Sequence, residues 1–127
     1  MNESKLLGIA ALILGFAVCA GAFGAHGLKD SISPYEMEVF NKAVFYQFMH
    51  GFAIAIVVFA SRLSLISTQA ASRICMVFLI GVLLFSGSLY LLVLLNKKWL
   101  GAVTPFGGTA FILGWGYFVS RCLKPKI

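Results

Sequence analysis

The sequence predicts an all-α integral membrane protein, a four-helix bundle in which each helix crosses the bilayer. Of its 127 residues, 61% are hydrophobic and 11% are charged, whereas about a quarter of the residues of a soluble domain are charged. Four stretches of 19 to 23 residues contain no charged residue, and about 20 helical residues cross a hydrocarbon core. Backbone polar groups in lipid must be bonded within their own segment, so these stretches are predicted to be helices.

The four uncharged stretches are joined by short connections, which leaves no room for a second domain. They are Leu6–Leu28, Ala43–Ser61, Ile74–Leu95 and Trp99–Ser120. With their flanking start and stop signals, we predict helices over residues 6–28, 34–61, 72–95 and 104–122 of a single domain, 1–127. The first stretch is longer than the apolar region of about 7–15 residues in a secretory signal. We therefore expect it to be a membrane span.

An amphipathic lead-in is predicted before helix 2. Ser33 suits the N-cap, Pro34 suits the first helical position, and Glu36 completes a capping box. Val39 and Phe40 then fall on the side opposite the charged residues. We expect this segment to lie at the membrane interface or to extend helix 2 above it.

The later connections carry other boundary signals. Residues 62–73 are rich in Ser, Thr, Gln and Ala and predict a short polar link. Asn96-Lys97-Lys98-Trp99 places lysines and a tryptophan at a membrane boundary. Thr104-Pro105 resembles a helix start, with Thr104 as the cap.

The basic residues predict the orientation of the chain. Six lie at one side of the membrane and four at the other: Lys5, Arg62, Arg73, Arg121, Lys124 and Lys126 against Lys29, Lys42, Lys97 and Lys98. The positive-inside rule then favours both termini in the cytoplasm. The net charge of +6 is scattered along the chain, and a nucleic-acid surface would need basic residues gathered on one face. We expect no nucleic-acid partner.

Two histidines are the ionisable residues inside the spans. His26 lies near the end of helix 1, and His50 lies in helix 2 on the same face as Tyr46 and Gln47. Antiparallel helices would place both histidines in the outer half of the bilayer, where they could meet each other or a shared partner. We favour a polar clasp that holds helices 1 and 2 in register. The alternative is a site for haem, another metal, a quinone or a lipid headgroup.

Small residues are plentiful on several helices, at steps of three and four in helix 1 and seven apart in helix 3, as in close helix packing. They are Gly8, Ala11, Gly15, Cys19 and Ala22 in helix 1, Gly81 and Ser88 in helix 3, and Gly107, Gly108 and Gly114 in helix 4. We favour close packing within the bundle. A stripe that faces a second copy or another membrane subunit is the alternative.

Motifs on all four helices resemble one family of small bacterial membrane proteins. They are Gly21-Ala22-Phe23-Gly24-Ala25-His26, Tyr46-Gln47 with His50, Phe85-Ser86-Gly87-Ser88-Leu89-Tyr90, and Thr104-Pro105 with Gly107-Gly108 and Gly114-Trp115. The chain resembles the YgdD and YwdK family, catalogued as domain of unknown function 423, to which a transmembrane protein of animal mitochondria is related. The resemblance implies a four-span inner-membrane protein and transfers no catalytic residue.

These observations favour a non-enzymatic accessory, assembly or self-associating subunit of the bacterial inner membrane. Its expected partners are the lipid bilayer and either further copies of itself or a larger membrane complex. We expect no catalytic site, no metal and no cofactor. Two alternatives stay open: a haem-, metal-, quinone- or lipid-binding protein that uses His26 and His50, and a small oligomeric transporter or channel.

Overall fold

A computed structural model describes residues 1–124, and all regular structure in that range is helical. The elements are α1 (Glu3–Phe23), a π-helical turn (Gly24–Leu28), α2 (Pro34–Arg62), α3 (Thr68–Leu95), a 3-10 turn (Lys98–Ala102) and α4 (Thr104–Cys122). Four helical segments are long and apolar enough to cross a membrane. The predicted fold class is confirmed. Lys126, one of the six basic residues used for orientation, lies outside the described residues.

The first turns of α2 and α3 are fixed by serine caps. Ser33 Oγ accepts the Glu36 N–H at 3.1 Å, and a Glu36 carboxylate oxygen accepts the Ser33 N–H at 3.3 Å, so the predicted capping box is present. α3 begins at Thr68, before the predicted residue 72. Its cap is Ser67, whose hydroxyl accepts the Ala70 N–H at 3.1 Å. The polar composition of the link had concealed this extra helical turn.

α4 begins at the predicted residue 104, but its cap differs from the prediction. The N-cap is Val103, and Thr104 is the first helical residue. The Thr104 hydroxyl lies 2.6 Å from the Ser88 hydroxyl of α3, so the prediction of Thr104 as the cap was wrong. A hydroxyl at a helix interface gains a partner on the neighbouring helix, and here that partner replaces the capping bond.

α2 and α3 form the centre of the bundle, with α1 packed mainly on α2 and α4 mainly on α3. Fully buried side chains from α2 and α3, such as Val57, Ile74 and Phe78, fill the interior. α1 buries one face, made of Leu6, Ala10, Ile13 and Ala17. The flanking helices therefore present most of their surface to lipid.

The two ends of the bundle are closed differently. We call the end where α1 begins and α2 ends the terminal end; there Glu3 forms an ion pair with Arg62 and accepts a hydrogen bond from the Ser61 hydroxyl. At the opposite end, a Cβ added at Gly24 in the π-helical turn would lie 2.7 Å from the Phe40 ring. α1 is thus fixed to α2 at both of its ends.

Candidate functional site

A buried polar cluster on α2 holds three of the four residues that the sequence marked for chemistry. Gln47 and His50 lie one turn apart on the buried face of this central helix, and Tyr46 beside them is half-buried. α2 touches both α1 and α3, and the His50 side chain reaches α4. This position allows polar groups on α2 to connect all four helices.

Gln47 connects three helices through its side-chain amide. Its Nε2 group donates to the Ile13 carbonyl of α1 at 2.8 Å. Its Oε1 atom accepts a hydrogen bond from the Tyr90 hydroxyl of α3 at 2.6 Å. Because an unsatisfied amide is costly in lipid, these two bonds fix the relative positions of α1, α2 and α3.

His50 connects α2 to α4. Its Nδ1 atom lies 2.9 Å from the Tyr46 carbonyl oxygen, and a carbonyl accepts only, so Nδ1 carries the hydrogen and donates it. The Trp115 indole N–H donates to Nε2 at 3.1 Å. The geometry assigns a neutral imidazole with both nitrogens engaged by the protein.

Aromatic rings surround the imidazole, and glycines make room for them. Phe111 stacks on His50 with ring centroids 3.5 Å apart and planes inclined by 10°. A Cβ at Gly81 would lie 2.5 Å from the Phe111 ring, and one at Gly114 would lie 2.6 Å from the Phe78 ring. Two of the predicted small residues, Gly81 in α3 and Gly114 in α4, therefore serve close packing around His50.

His26 is separated from this cluster. It is exposed on the π-helical turn. The partners of His50 are other residues: Tyr46 and Trp115 through hydrogen bonds, and Phe78 and Phe111 through ring contacts. The two histidines, which the sequence allowed to meet each other or a shared partner, are therefore not brought together. The clasp between helices 1 and 2 is made by Gln47 instead, whereas His50 holds α4.

In this arrangement His50 is not available as a ligand of haem or of a metal ion. His50 presents no free nitrogen lone pair, since its Nε2 atom accepts from Trp115. Among residues 1–124, no three His, Cys, Asp or Glu side chains are grouped to hold a metal ion. In the same range, every buried side-chain nitrogen or oxygen has a hydrogen-bond partner. The arrangement is that of a satisfied structural network.

Some members of the network had no functional signal in the sequence analysis. Ser86 donates to the Ala43 carbonyl at 2.7 Å, and Tyr90 and Trp115 bond to α2 as described above. All three belong to the motifs on which the family resemblance rests. What sequence reasoning lacked was the knowledge of which face of each helix points at α2.

The small residues of α1 lie on the outer surface, contrary to the favoured prediction of packing within the bundle. Gly8, Ala11, Gly15, Cys19 and Ala22 are all exposed; we call them the outward stripe. A Cβ at Gly8 or Gly15 would meet nothing within 4 Å. α1 is apolar on all sides, so its hydropathy did not reveal which side faces α2.

Comparison with known proteins supplies the family. The sequence profile of the family described as "Protein of unknown function (DUF423)" matches residues 20–108. The chain belongs to this family. The matched range contains Gln47, His50 and Tyr90, and it excludes Trp115 and the first part of α1.

Relatives in the family cover nearly the whole chain. A UPF0382 membrane protein of Staphylococcus aureus (strain bovine RF122) is 44% identical over 116 residues, which is 91% of this chain and 93% of that protein. The UPF0382 membrane protein YwdK of Bacillus subtilis (strain 168) is 40% identical over 109 residues, 85% and 87% of the two chains. No solved structure matches the chain significantly. The protein is thus a multi-pass member of a bacterial membrane protein family.

Proposed function

We propose that this protein is a non-enzymatic membrane subunit that works by self-association, with the outward stripe of α1 as its contact surface. The observation that carries the proposal is the empty space around Gly8 and Gly15. These glycines have the spacing of a packing surface, yet nothing among residues 1–124 packs on them.

The other helices show how this protein uses glycine at helix contacts. A Cβ at Gly51 would lie 2.8 Å from Leu14, and one at Gly107 would overlap the backbone nitrogen of Phe85. At Gly81 and Gly114, aromatic rings lie as close to the position that a Cβ would take. The outward stripe presents small residues at three- and four-residue steps along α1, so a helix docked on it would make the same kind of close contact.

Self-association follows from the physics of helices in lipid. Lipid tails are as apolar as side chains, so helices associate through close packing, which small residues permit. A twofold-symmetric pair brings the same surface of both copies together, so one stripe is sufficient. Exposed Leu12 and Phe16 lie beside Gly15 and give the partner helix ridges to pack against.

The polar cluster supports a structural role for the interior. Both nitrogens of His50 and both polar atoms of the Gln47 amide are engaged between helices. Such a network sets helix register and offers neither a free base nor a nucleophile. We propose that the protein needs no cofactor.

The proposed location is the cytoplasmic (inner) membrane with both termini in the cytoplasm. This rests on the excess of lysine and arginine at the terminal end, where Lys5, Arg62 and Arg73 lie. A reporter enzyme that is active only outside the membrane, fused after residue 127, should be inactive. An active fusion would reverse the orientation.

The test of self-association compares two glycines that both face open space, Gly15 on α1 and Gly116 on α4. We expect the wild-type chain and the Gly116→Leu variant to be homo-oligomers in lipid nanodiscs or mild detergent, and the Gly15→Leu variant to be a monomer. Native mass spectrometry measures the three masses. A monomeric wild-type chain, or an oligomer unaffected by Gly15→Leu, would contradict the proposal, as would a complex that contains only a different protein.

A further inference from the structure

A cleft opens at the end of the bundle opposite the terminal end, between the start of α2, the end of α3 and the 3-10 turn. Its upper part has a volume of about 440 Å³ and is lined by Tyr35, Glu36, Leu92, Asn96, Lys98 and Gly101. The lower part, of about 390 Å³, shares Tyr35, Leu92 and Gly101 with it. We call the two parts together the boundary cleft. Each is within the size range of small-molecule sites, about 300–1,000 Å³.

The level of the cleft in the bilayer follows from α4. The 19 residues of this helix span about 28 Å at 1.5 Å each, which matches a hydrocarbon core of about 30 Å. Thr104 therefore marks the edge of the hydrocarbon. The Ser88–Thr104 bond and the bond from Ser86 to the Ala43 carbonyl place Lys42 near the same level.

Polarity changes along the cleft as it does along a phospholipid. The upper part, above Thr104, carries Glu36, Asn96 and Lys98. The lower part adds Val39, Phe85, Leu89 and Pro105, and exposed Lys42 also lines it. Exposed Trp99 next to Lys98 has the usual position of an interfacial aromatic residue.

We propose that the boundary cleft binds one anionic phospholipid, with its phosphate between Lys42 and Lys98 and an acyl chain along Phe85, Leu89 and Pro105. Lysine side chains at this depth extend their ammonium groups toward the headgroup layer. Two lysines face one acid, Glu36, and a Glu36 carboxylate oxygen already accepts the Ser33 N–H. The charge balance therefore favours a negative headgroup over a zwitterionic one.

Native mass spectrometry of the full chain in mild detergent tests the proposal, with phosphatidylglycerol and phosphatidylcholine of identical acyl chains as probes. The expected result is one tightly held phosphatidylglycerol and weaker binding of phosphatidylcholine. Lys42→Gln and Lys98→Gln should each lower the affinity for phosphatidylglycerol about fivefold, which is the effect expected of one basic residue near the membrane surface. Lys29→Gln removes the same charge at the same end outside the cleft and should have no effect.

A second variant tests the cleft without changing charge. A Cβ at Gly101 would be 3.6 Å from Leu92, an ordinary contact, so Gly101→Leu should fold and fill the cavity. It should reduce binding of both lipids at least tenfold, whereas Gly116→Leu on the open face of α4 should not. Equal affinity for the two lipids, equal losses in Lys29→Gln and the cleft lysine variants, or full binding by Gly101→Leu would overturn the proposal.

Discussion

The α3–α4 interface and the outer face of α1 both contain glycines and other small residues. In the interface these residues are closely packed, whereas on α1 they are exposed. In the interface, Gly81, Gly107 and Gly114 are covered by aromatic rings or by backbone. On α1, Gly8 and Gly15 face open space. The difference shows that small residues mark where another helix can pack closely against the backbone. Only the structure shows whether that helix belongs to the same chain.

The largest loss of stability is expected where the backbone of a neighbouring helix occupies the space that a Cβ would need. In Gly107→Val the new Cβ would lie 2.7 Å from the Phe85 Cα, and backbone cannot move aside as a side chain can. We expect a loss of about 3 kcal/mol of stability or a failure to fold. Thermal unfolding in detergent measures it.

The matched control for this substitution is Gly116→Val, in the same helix and with open space around the glycine. It should unfold within a few degrees of the wild-type chain. Equal damage from both substitutions would mean that valine in α4, and not the contact with Phe85, is responsible.

A smaller effect is expected from the interior network at Gln47. Gln47→Leu would leave the hydroxyl of half-buried Tyr90 without its acceptor, at a cost of about 1–2 kcal/mol. Tyr90→Phe in the same chain should restore part of that loss, because no orphaned hydroxyl remains. A double-mutant cycle measures the coupling, and strictly additive losses would show that the two side chains do not interact.

The connection from α2 to α4 should contribute less. Trp115→Phe removes the indole N–H that bonds to His50 and keeps an aromatic ring against Phe78. We expect a loss of about 0.6 kcal/mol, the average for one interhelical hydrogen bond in a membrane protein. A loss as large as that of Gly107→Val would show that His50 depends on this bond far more than the geometry implies.

The smallest change in monomer stability is expected on α1. A Cβ at Gly15 would meet nothing within 4 Å, so Gly15→Leu should extend away from the bundle and change the unfolding free energy of the single chain by less than about 0.5 kcal/mol. Unfolding at high dilution in detergent tests this. A large loss would place Gly15 inside the fold and remove the contrast between the two regions.

The sequence predicted the helices well because each span is an uncharged length that matches the membrane. The capping box at Ser33 and Glu36 was equally readable, since its residues act locally. The cap of α4 could not be predicted in the same way, because the Thr104 hydroxyl has its partner in Ser88 of the neighbouring helix. Local signals predict local bonds and fail where a distant helix supplies the partner.

The polar residues were found, but their partners were not. Tyr46, Gln47 and His50 were identified because polar side chains are rare inside spans. Their bonds to Ile13, Tyr90 and Trp115 depend on helix rotation. In a helix that is apolar all round, as α1 is, hydropathy carries no information about rotation, and the buried and outward faces could not be distinguished.

Cysteine cross-linking tests the central proposal most directly, because Cys19 belongs to the outward stripe and is exposed. Buried Cys75 serves as an internal control, and exposed Cys122 is replaced by Ser. Oxidation in native membranes with copper phenanthroline should give a disulfide-linked homodimer that Gly15→Leu abolishes. The absence of a Cys19 dimer would contradict self-association through α1. As a control, a cysteine is placed at exposed Ile112 and Cys19 is also replaced by Ser. Equal cross-linking from that variant would contradict the proposal as well.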